Sequence, residues 1–172
     1  MLAVRLVKLL KNIKIVSIDN EIYSIGLSMQ TNVNSIRKDV KMLKEKFKTN
    51  KSLIKSLKQP EEMIIVTKDY DLQSKDFIYF MGNVITEIYK PDNDLELFII
   101  PKGKYAHIEL KSFIALTYPF KLIRTKKYFF NDWLPESDYE ATGMLDDFEH
   151  HTRKSYKKFN FIVDYFVSIK DK

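Results

Sequence analysis

Hydrophobic positions in the first half of the chain change their period between successive segments. Ile-, Val- and Tyr-rich stretches at 13–18 and 22–28 predict strands, separated by a turn at Asp19-Asn20. Next, Ile36, Val40, Leu43 and Phe47 mark one face of a helix whose other faces carry lysines. Segments 63–67 and 77–88 then predict two strands of a hairpin joined by a polar loop.

The second half repeats this order of elements about eighty residues later. Residues 95–110 are strand-like with an interruption at Pro101-Lys102-Gly103, and two further strands are expected at 146–151 and 159–170. Between them, 119–133 is expected to be a helix with a proline near its start and a buried face of Phe120, Ile123, Phe130 and Trp133.

This duplication predicts an α+β fold within one domain, with repeats at about 13–88 and 95–170. Two strand-helix-strand-strand units would pair their strands into an antiparallel sheet and place both helices on one side. The groove where the halves meet is the expected ligand site. Residues 1–12 receive no assignment.

The positive charge of the chain is unevenly distributed. The 29 basic and 23 acidic residues give +6, but residues 1–60 alone hold 13 Lys/Arg and 4 Asp/Glu. Lysines cover the non-apolar positions of the first predicted helix, whereas arginine, which base readout favours, occurs four times in the chain. We therefore expect a solvated basic face and no direct nucleic-acid partner.

The sequence lacks the residues that several kinds of catalytic and metal-binding site require. The absence of cysteine excludes disulfides, thiolate metal sites and Cys nucleophiles. His150 and His151 would point to opposite faces of a strand, and no Gly-rich phosphate loop or Ser nucleophile elbow is present. No apolar run suggests a spanning helix or a signal peptide. We expect no metal, no cofactor, no membrane partner and a cytoplasmic location.

An acidic and aromatic segment at 129–152 holds seven carboxylates and no Lys or Arg. Most of these acids are expected to be solvated. Glu149 differs because it lies inside a predicted strand between Phe148 and His150. Either it faces water or pairs with a lysine, or it is buried among aromatic rings, where it would favour a positively charged ligand.

Short motifs in this half resemble a known family. Trp133-Leu134-Pro135-Glu136-Ser137-Asp138-Tyr139-Glu140, followed by Asp147-Phe148-Glu149, resembles the paired signature of the GyrI-like small-molecule-binding superfamily, which includes effector-binding domains of AraC-type and MerR-type multidrug regulators. The segments Ile100-Pro101-Lys102-Gly103-Lys104-Tyr105-Ala106, Phe77-Ile78-Tyr79 and Ile25-Gly26-Leu27 are also similar to family strands. The resemblance runs from about residue 13 to residue 170.

The resemblance implies a pseudo-twofold fold with a central groove for lipophilic, often cationic compounds. By position, Glu149 matches the groove glutamate, and the expected ligand contacts are Glu149, Trp133, Tyr139, Tyr105, Tyr79 and Phe148. Each aromatic has the alternative of packing in the core. The sequence departs from the family at Ser112, His151 and Ser168, where Gly, Tyr and Pro are usual.

Three functions follow from the resemblance. The first is binding of hydrophobic cationic small molecules, without catalysis. The second is hydrolysis of cyclopropane-bearing DNA-alkylating toxins, in which Glu149 would orient or deprotonate water and Trp133 would hold the substrate. The third is a protein-interaction role with gyrase or a regulator as partner. Because nothing here supplies the DNA-binding domain of the regulators, the stand-alone form is expected.

Overall fold

The computed structural model describes residues 13–143, 145 and 147–172. These residues form nine strands of one antiparallel sheet and two main helices, which confirms the predicted α+β class. Residues 1–12 and Asp146, the predicted first residue of a strand, lie outside the described part. The strands are β1 (Ile13–Ile18), β2 (Ile22–Asn32), β3 (Met63–Lys68), β4 (Asp76–Val84), β5 (Glu96–Ile100), β6 (Gly103–Ser112), β7 (Tyr139–Ala141), β8 (Asp147–His151) and β9 (Phe161–Asp171).

The helices lie where the hydrophobic period predicted them. Helix α1 spans Ile36–Asn50 and buries Leu43 and Phe47, two of its four predicted inward residues. Helix α2 spans Tyr118–Tyr128, with a proline in its first turn, and continues through a π-helical segment (Phe129–Trp133) into a last turn (Leu134–Glu136). Short 3-10 turns occur at Lys51–Leu53, Ala115–Thr117 and Arg153–Tyr156.

The strand order places the two repeats on either side of a central seam. Along the sheet the order is β1-β6-β9-β8-β3-β4-β2-β5, with β7 also paired to β9. The seam is the β3–β8 pair, in which Ile65 lies opposite Glu149. The first strand of each repeat pairs with the other repeat, because β1 pairs with β6 and β5 pairs with β2.

Both helices cover one face of the sheet, here called the helix face. Leu43 and Phe47 of α1 belong to a buried cluster with Ile65 and Met81, while α2 packs its residues against Tyr165. Ile65 is in register with Met81 and with Glu149, and Glu149 is in register with Tyr165. Since residues opposite one another share a face, the side chain of Glu149 lies on the helix face at the seam.

The opposite face of the sheet carries a separate apolar cluster. Phe80, Tyr105 and Phe148 are fully buried there. Phe148 stacks on Phe166 with 4.7 Å between ring centroids, and it meets Tyr105 edge-on at 5.6 Å. The sheet is thus covered by apolar packing on both faces near the seam.

The predicted buried face of α2 is wrong at two positions. Phe120 and Ile123 are 58% and 54% exposed, whereas Tyr118, Thr125 and Tyr128 are buried. The helix has apolar residues on more than one side, so spacing alone did not identify the inward face. The change to π-helical geometry at Phe129 also shifts the inward positions within the helical segment.

Candidate functional site

Glu149 is a buried carboxylate on the helix face. Its side chain is 7% exposed, and its Oε2 atom accepts hydrogen bonds from the Tyr118 hydroxyl at 2.5 Å and from His151 Nε2 at 3.0 Å. None of the described residues donates a hydrogen bond to the other oxygen, Oε1. The glutamate is therefore fixed in position with one oxygen committed to protein donors.

Local structure explains how these groups meet. His151 follows Glu149 by two positions on β8, so the period of the strand places both side chains on one face. Tyr118 is the first residue of α2, just before Pro119, and the packing of that helix brings its hydroxyl over β8. The Tyr118 ring lies edge-to-face with His151 and Phe161, at 6.2 and 5.0 Å between ring centroids, which holds the ring in place.

The surroundings of Glu149 keep it charged. Burial alone raises the pKa of a carboxyl group, but the hydrogen bond and charge of His151, the hydrogen bond of Tyr118 and the charge of Lys126 outweigh it. The net result is a pKa below the ordinary value of glutamate. A negative charge is thus maintained inside the protein.

Asp147, two positions earlier on β8, shows the opposite behaviour. Burial raises its pKa above the ordinary value, and the charge of Glu149 adds to this, although Lys126 acts against it. Lys126 Nζ lies 2.8 Å from Asp147 Oδ1 and 3.3 Å from Thr67 Oγ1. Of the two neighbouring carboxylates, Glu149 is therefore the one that retains its charge more strongly.

Tyrosines surround the carboxylate on the helix face. The pKa of Tyr118 is raised well above its usual range by burial and then by the charge of Glu149, with smaller effects from Tyr79 and Tyr165. Burial, followed by the charge of Glu149, also raises the pKa of Tyr79. Tyr79 is opposite Thr67, and Thr67 is opposite Asp147, so the predicted residue Tyr79 lies on the helix face near Glu149, together with Tyr118 and Tyr165.

Trp133 and Tyr139 form an aromatic stack near the end of the helical segment. Trp133 stacks on Phe129 at 5.0 Å and on Tyr139 at 6.2 Å between ring centroids. Lys104 Nζ lies 5.5 Å above the Tyr139 ring. Both rings also pack against the buried cluster that contains Tyr118 and Tyr165, the tyrosines beside Glu149.

Tyr105 and Phe148 lie on the face of the sheet opposite Glu149. Both are fully buried in the apolar cluster there, and the Tyr105 hydroxyl donates a hydrogen bond to the Pro101 carbonyl at 2.7 Å. Their positions follow from strand alternation, since Phe148 directly precedes Glu149 on β8. The structure therefore separates these two predicted contacts from the carboxylate.

Sequence reasoning did not assign Tyr118, Tyr165 or Lys126 to the site. Tyr118 is 31 positions before Glu149 and gave no local signal beyond its place at a helix start. His151 was considered as a metal ligand and as a departure from the family but not as a partner of Glu149, although its spacing of two from Glu149 on a predicted strand was a usable signal. His150, on the opposite face, lies 2.9 Å from Glu62 Oε1.

Other site types find no support in the described part of the chain. No group of three His, Asp or Glu side chains there is arranged to hold a metal ion. Among the helices of the same residues, none is long and apolar enough to cross a membrane. The exposed acids of the acidic segment, Asp132, Glu136, Asp138 and Glu140, are solvated as predicted.

Replacing Tyr118 with phenylalanine is expected to raise the pKa of Glu149, since the variant removes a donor to its carboxylate. A lowered folded-state pKa stabilises the protein above the unfolded-state pKa, and this stability is lost as pH falls through the folded-state pKa. We therefore expect a loss of about 1.5–3 kcal/mol near neutral pH. The loss should shrink below about pH 4.5.

Urea denaturation from neutral to acidic pH measures this difference. Tyr128→Phe is the matched control, because Tyr128 is a buried tyrosine of the same helix with no hydrogen-bond partner for its hydroxyl among the described residues. A Tyr118→Phe loss that stays constant with pH, or equals the control, contradicts the expectation.

Comparison with known proteins identifies the family. The family model of Cass2, described as an integron-associated effector binding protein, matches residues 10–169. No curated protein matches the chain.

Solved structures share the fold at low sequence identity. The integron cassette protein Cass2 from the mobile metagenome of Vibrio cholerae has a TM-score of 0.61 and 11% identity, covering 93% of this chain and 97% of its own. SAV2435 bound to tetraphenylphosphonium has a TM-score of 0.66 and 10% identity, covering 92% and 93%. The C-terminal domain of EcmrR has a TM-score of 0.60 and 12% identity, covering 93% and 98%. The chain belongs to the Cass2 family of integron-associated effector-binding proteins and has a GyrI-like fold.

Proposed function

We propose that the chain binds lipophilic cationic aromatic compounds on the helix face, with Glu149 as the counter-charge. The observation that carries this proposal is a carboxylate that is 7% exposed and yet has a lowered pKa, at the seam between the two repeats. A charge held in a low-dielectric environment attracts a cation more strongly than a surface charge does.

The other oxygen of Glu149, Oε1, accepts no hydrogen bond from the described residues, and this favours a large delocalised cation over a small hydrated one. Oε2 already accepts hydrogen bonds from Tyr118 and His151, so a ligand would meet Oε1 and the surrounding rings. Tyr79 and Tyr118 offer aromatic surface whose faces attract cations. A compound with spread positive charge and apolar rings uses both features without needing strong hydrogen-bond donors.

The outer side of α2 also exposes apolar side chains. Phe120 and Ile123 are exposed, and the Arg37 guanidinium of α1 lies 5.9 Å from the centre of the Phe120 ring. Helices α1 and α2 thus approach one another near Tyr118, the first residue of α2. A structural relative, SAV2435, was solved with tetraphenylphosphonium bound, which makes that cation the natural probe.

Binding of tetraphenylphosphonium should weaken when Glu149 is replaced with glutamine. Loss of the counter-charge is expected to raise the Kd by about tenfold to a hundredfold, equivalent to about 1.4–2.8 kcal/mol. Isothermal titration calorimetry measures the change, and tetraphenylborate, an anion of the same shape, is expected to bind far more weakly than the cation.

Glu62→Gln provides the matched control. Glu62 is an equally buried glutamate, with a side chain 7% exposed, and it pairs with Lys58 and His150. The control should bind tetraphenylphosphonium like the unaltered protein. Equal affinity of the Glu149→Gln variant and the unaltered protein would remove Glu149 as the counter-charge, and equal binding of tetraphenylborate would remove charge selectivity.

A further inference from the structure

A surface formed by two neighbouring loops combines exposed apolar side chains with positive charge. The loop after β6 exposes Phe113 (70%) and Leu116 (78%), and the loop before β9 exposes Tyr156 (53%) and Phe159 (49%). We call these four residues the apolar tip. Large apolar side chains grouped in this way on a protein surface mark an interaction site.

The two loops form one structural unit. Ser112 and Phe161 are paired at the ends of β6 and β9, which brings the flanking loops together. The backbone N–H of Asn160 donates to the Phe113 carbonyl at 3.2 Å, and the Phe113 and Phe159 rings lie 5.3 Å apart. The sheet therefore holds Phe113 and Phe159 in contact, with Leu116 and Tyr156 on the same two loops.

Positive charge predominates around the apolar tip, although Glu61 lies near enough to Tyr156 that its charge, after burial, raises the pKa of that tyrosine. Residues 110–131 and 150–163, which contain the two loops and α2, hold nine Lys or Arg and no Asp or Glu. Seven of the nine are lysines, and those on or beside the loops are exposed: Lys111, Lys154, Lys157 and Lys158, together with Arg153. Lys111 also pairs with Glu109 at 2.7 Å, so part of its charge is neutralised.

We propose that the apolar tip and its basic surround dock on the surface of an anionic lipid bilayer. Exposed aromatic and aliphatic side chains enter the boundary between headgroups and acyl chains, while lysines attract acidic headgroups. Leu116, the most exposed of the four, is aliphatic and cannot stack on a nucleic-acid base. This favours a lipid surface over single-stranded nucleic acid as the partner. The proposal departs from the sequence-based expectation of no membrane partner, which considered spanning segments.

Sedimentation of the 172-residue chain with lipid vesicles tests this proposal. We expect binding to vesicles that contain phosphatidylglycerol, weak binding to phosphatidylcholine alone, and loss of binding when salt is raised. The Phe113→Ser/Leu116→Ser double variant should bind roughly tenfold more weakly, because it removes two of the side chains expected to insert.

Leu72→Ser is the matched control, since Leu72 is 86% exposed in the loop between β3 and β4. It should bind vesicles as the unaltered protein does, and far-ultraviolet circular dichroism should show that all variants are folded. The proposal is overturned if phosphatidylglycerol vesicles do not sediment the protein, or if the double variant and the control bind equally.

Two further outcomes would assign the surface to another partner. Binding to DNA that the double variant loses, without any vesicle binding, would assign it to nucleic acid. A dimer in light scattering that the double variant dissociates would assign it to a second copy of the chain. Tetraphenylphosphonium binding is measured without lipid, so this test can fail independently of the proposed function.

Discussion

Gly26→Ala is expected to abolish folding or to lower the free energy of unfolding by more than about 4 kcal/mol. A Cβ atom at Gly26 would lie 2.0 Å from the Met81 carbonyl oxygen and 2.4 Å from the Gly82 Cα atom, both in the backbone of the neighbouring strand. Gly26 and Gly82 are direct partners in the β2–β4 pair. Because backbone atoms cannot move aside individually, the clash must separate the strands.

Urea denaturation followed by circular dichroism measures the effect. Gly143→Ala is the control, because Gly143 has a φ of +72° and nothing within 4 Å of an added Cβ. The control should lose only about 1–2 kcal/mol from its left-handed backbone. A Gly26→Ala variant as stable as the control would mean that the β2 and β4 backbones are farther apart than these distances.

Phe148→Ala is expected to lower the free energy of unfolding by about 3–5 kcal/mol. The ring is fully buried on the face opposite Glu149, stacks on Phe166 and meets the edge of Tyr105. Its removal leaves a cavity between strands of the second repeat. Phe120→Ala is the control, since that ring is 58% exposed and its loss should change stability by less than about 0.5 kcal/mol.

A milder variant separates the structural role of Phe148 from ligand contact. Phe148→Leu keeps most of the volume and should cost about 1.5 kcal/mol or less, so the protein remains folded for calorimetry. Its affinity for tetraphenylphosphonium is expected to match that of the unaltered protein. A loss of affinity like that of Glu149→Gln would instead support the sequence-based prediction of Phe148 as a ligand contact.

The sequence predicted the order of elements because hydrophobic period is a local property. The hairpin of β3 and β4, the apolar face of α1 at Leu43 and Phe47, and the duplication all follow from residues close together in the chain. The pairing of β1 with β6 and of β5 with β2 could not be predicted in this way. Such pairings join segments about eighty residues apart, and no turn chemistry specifies them.

In the candidate site, too, local contacts could be predicted from the sequence and long-range contacts could not. Glu149 was singled out because a carboxylate inside a predicted strand needs a partner, and the structure supplies His151 from the same strand. Tyr118 was missed because its hydroxyl reaches Glu149 only through the packing of α2. Alternation along β8 already implied that Phe148 and Glu149 point to opposite faces, so the resemblance and the strand period predicted different things for Phe148.

The pairing of the first strand of each repeat with the other repeat affects how the protein unfolds. Each repeat provides an edge strand for the half of the sheet formed by the other repeat, since β1 pairs with β6 and β5 pairs with β2. If one repeat were separated from the other, its sheet would have an unpaired edge. Its own first strand would also lack the strand with which it pairs. The duplicated halves are therefore interlocked, and the chain is built to unfold as one cooperative unit.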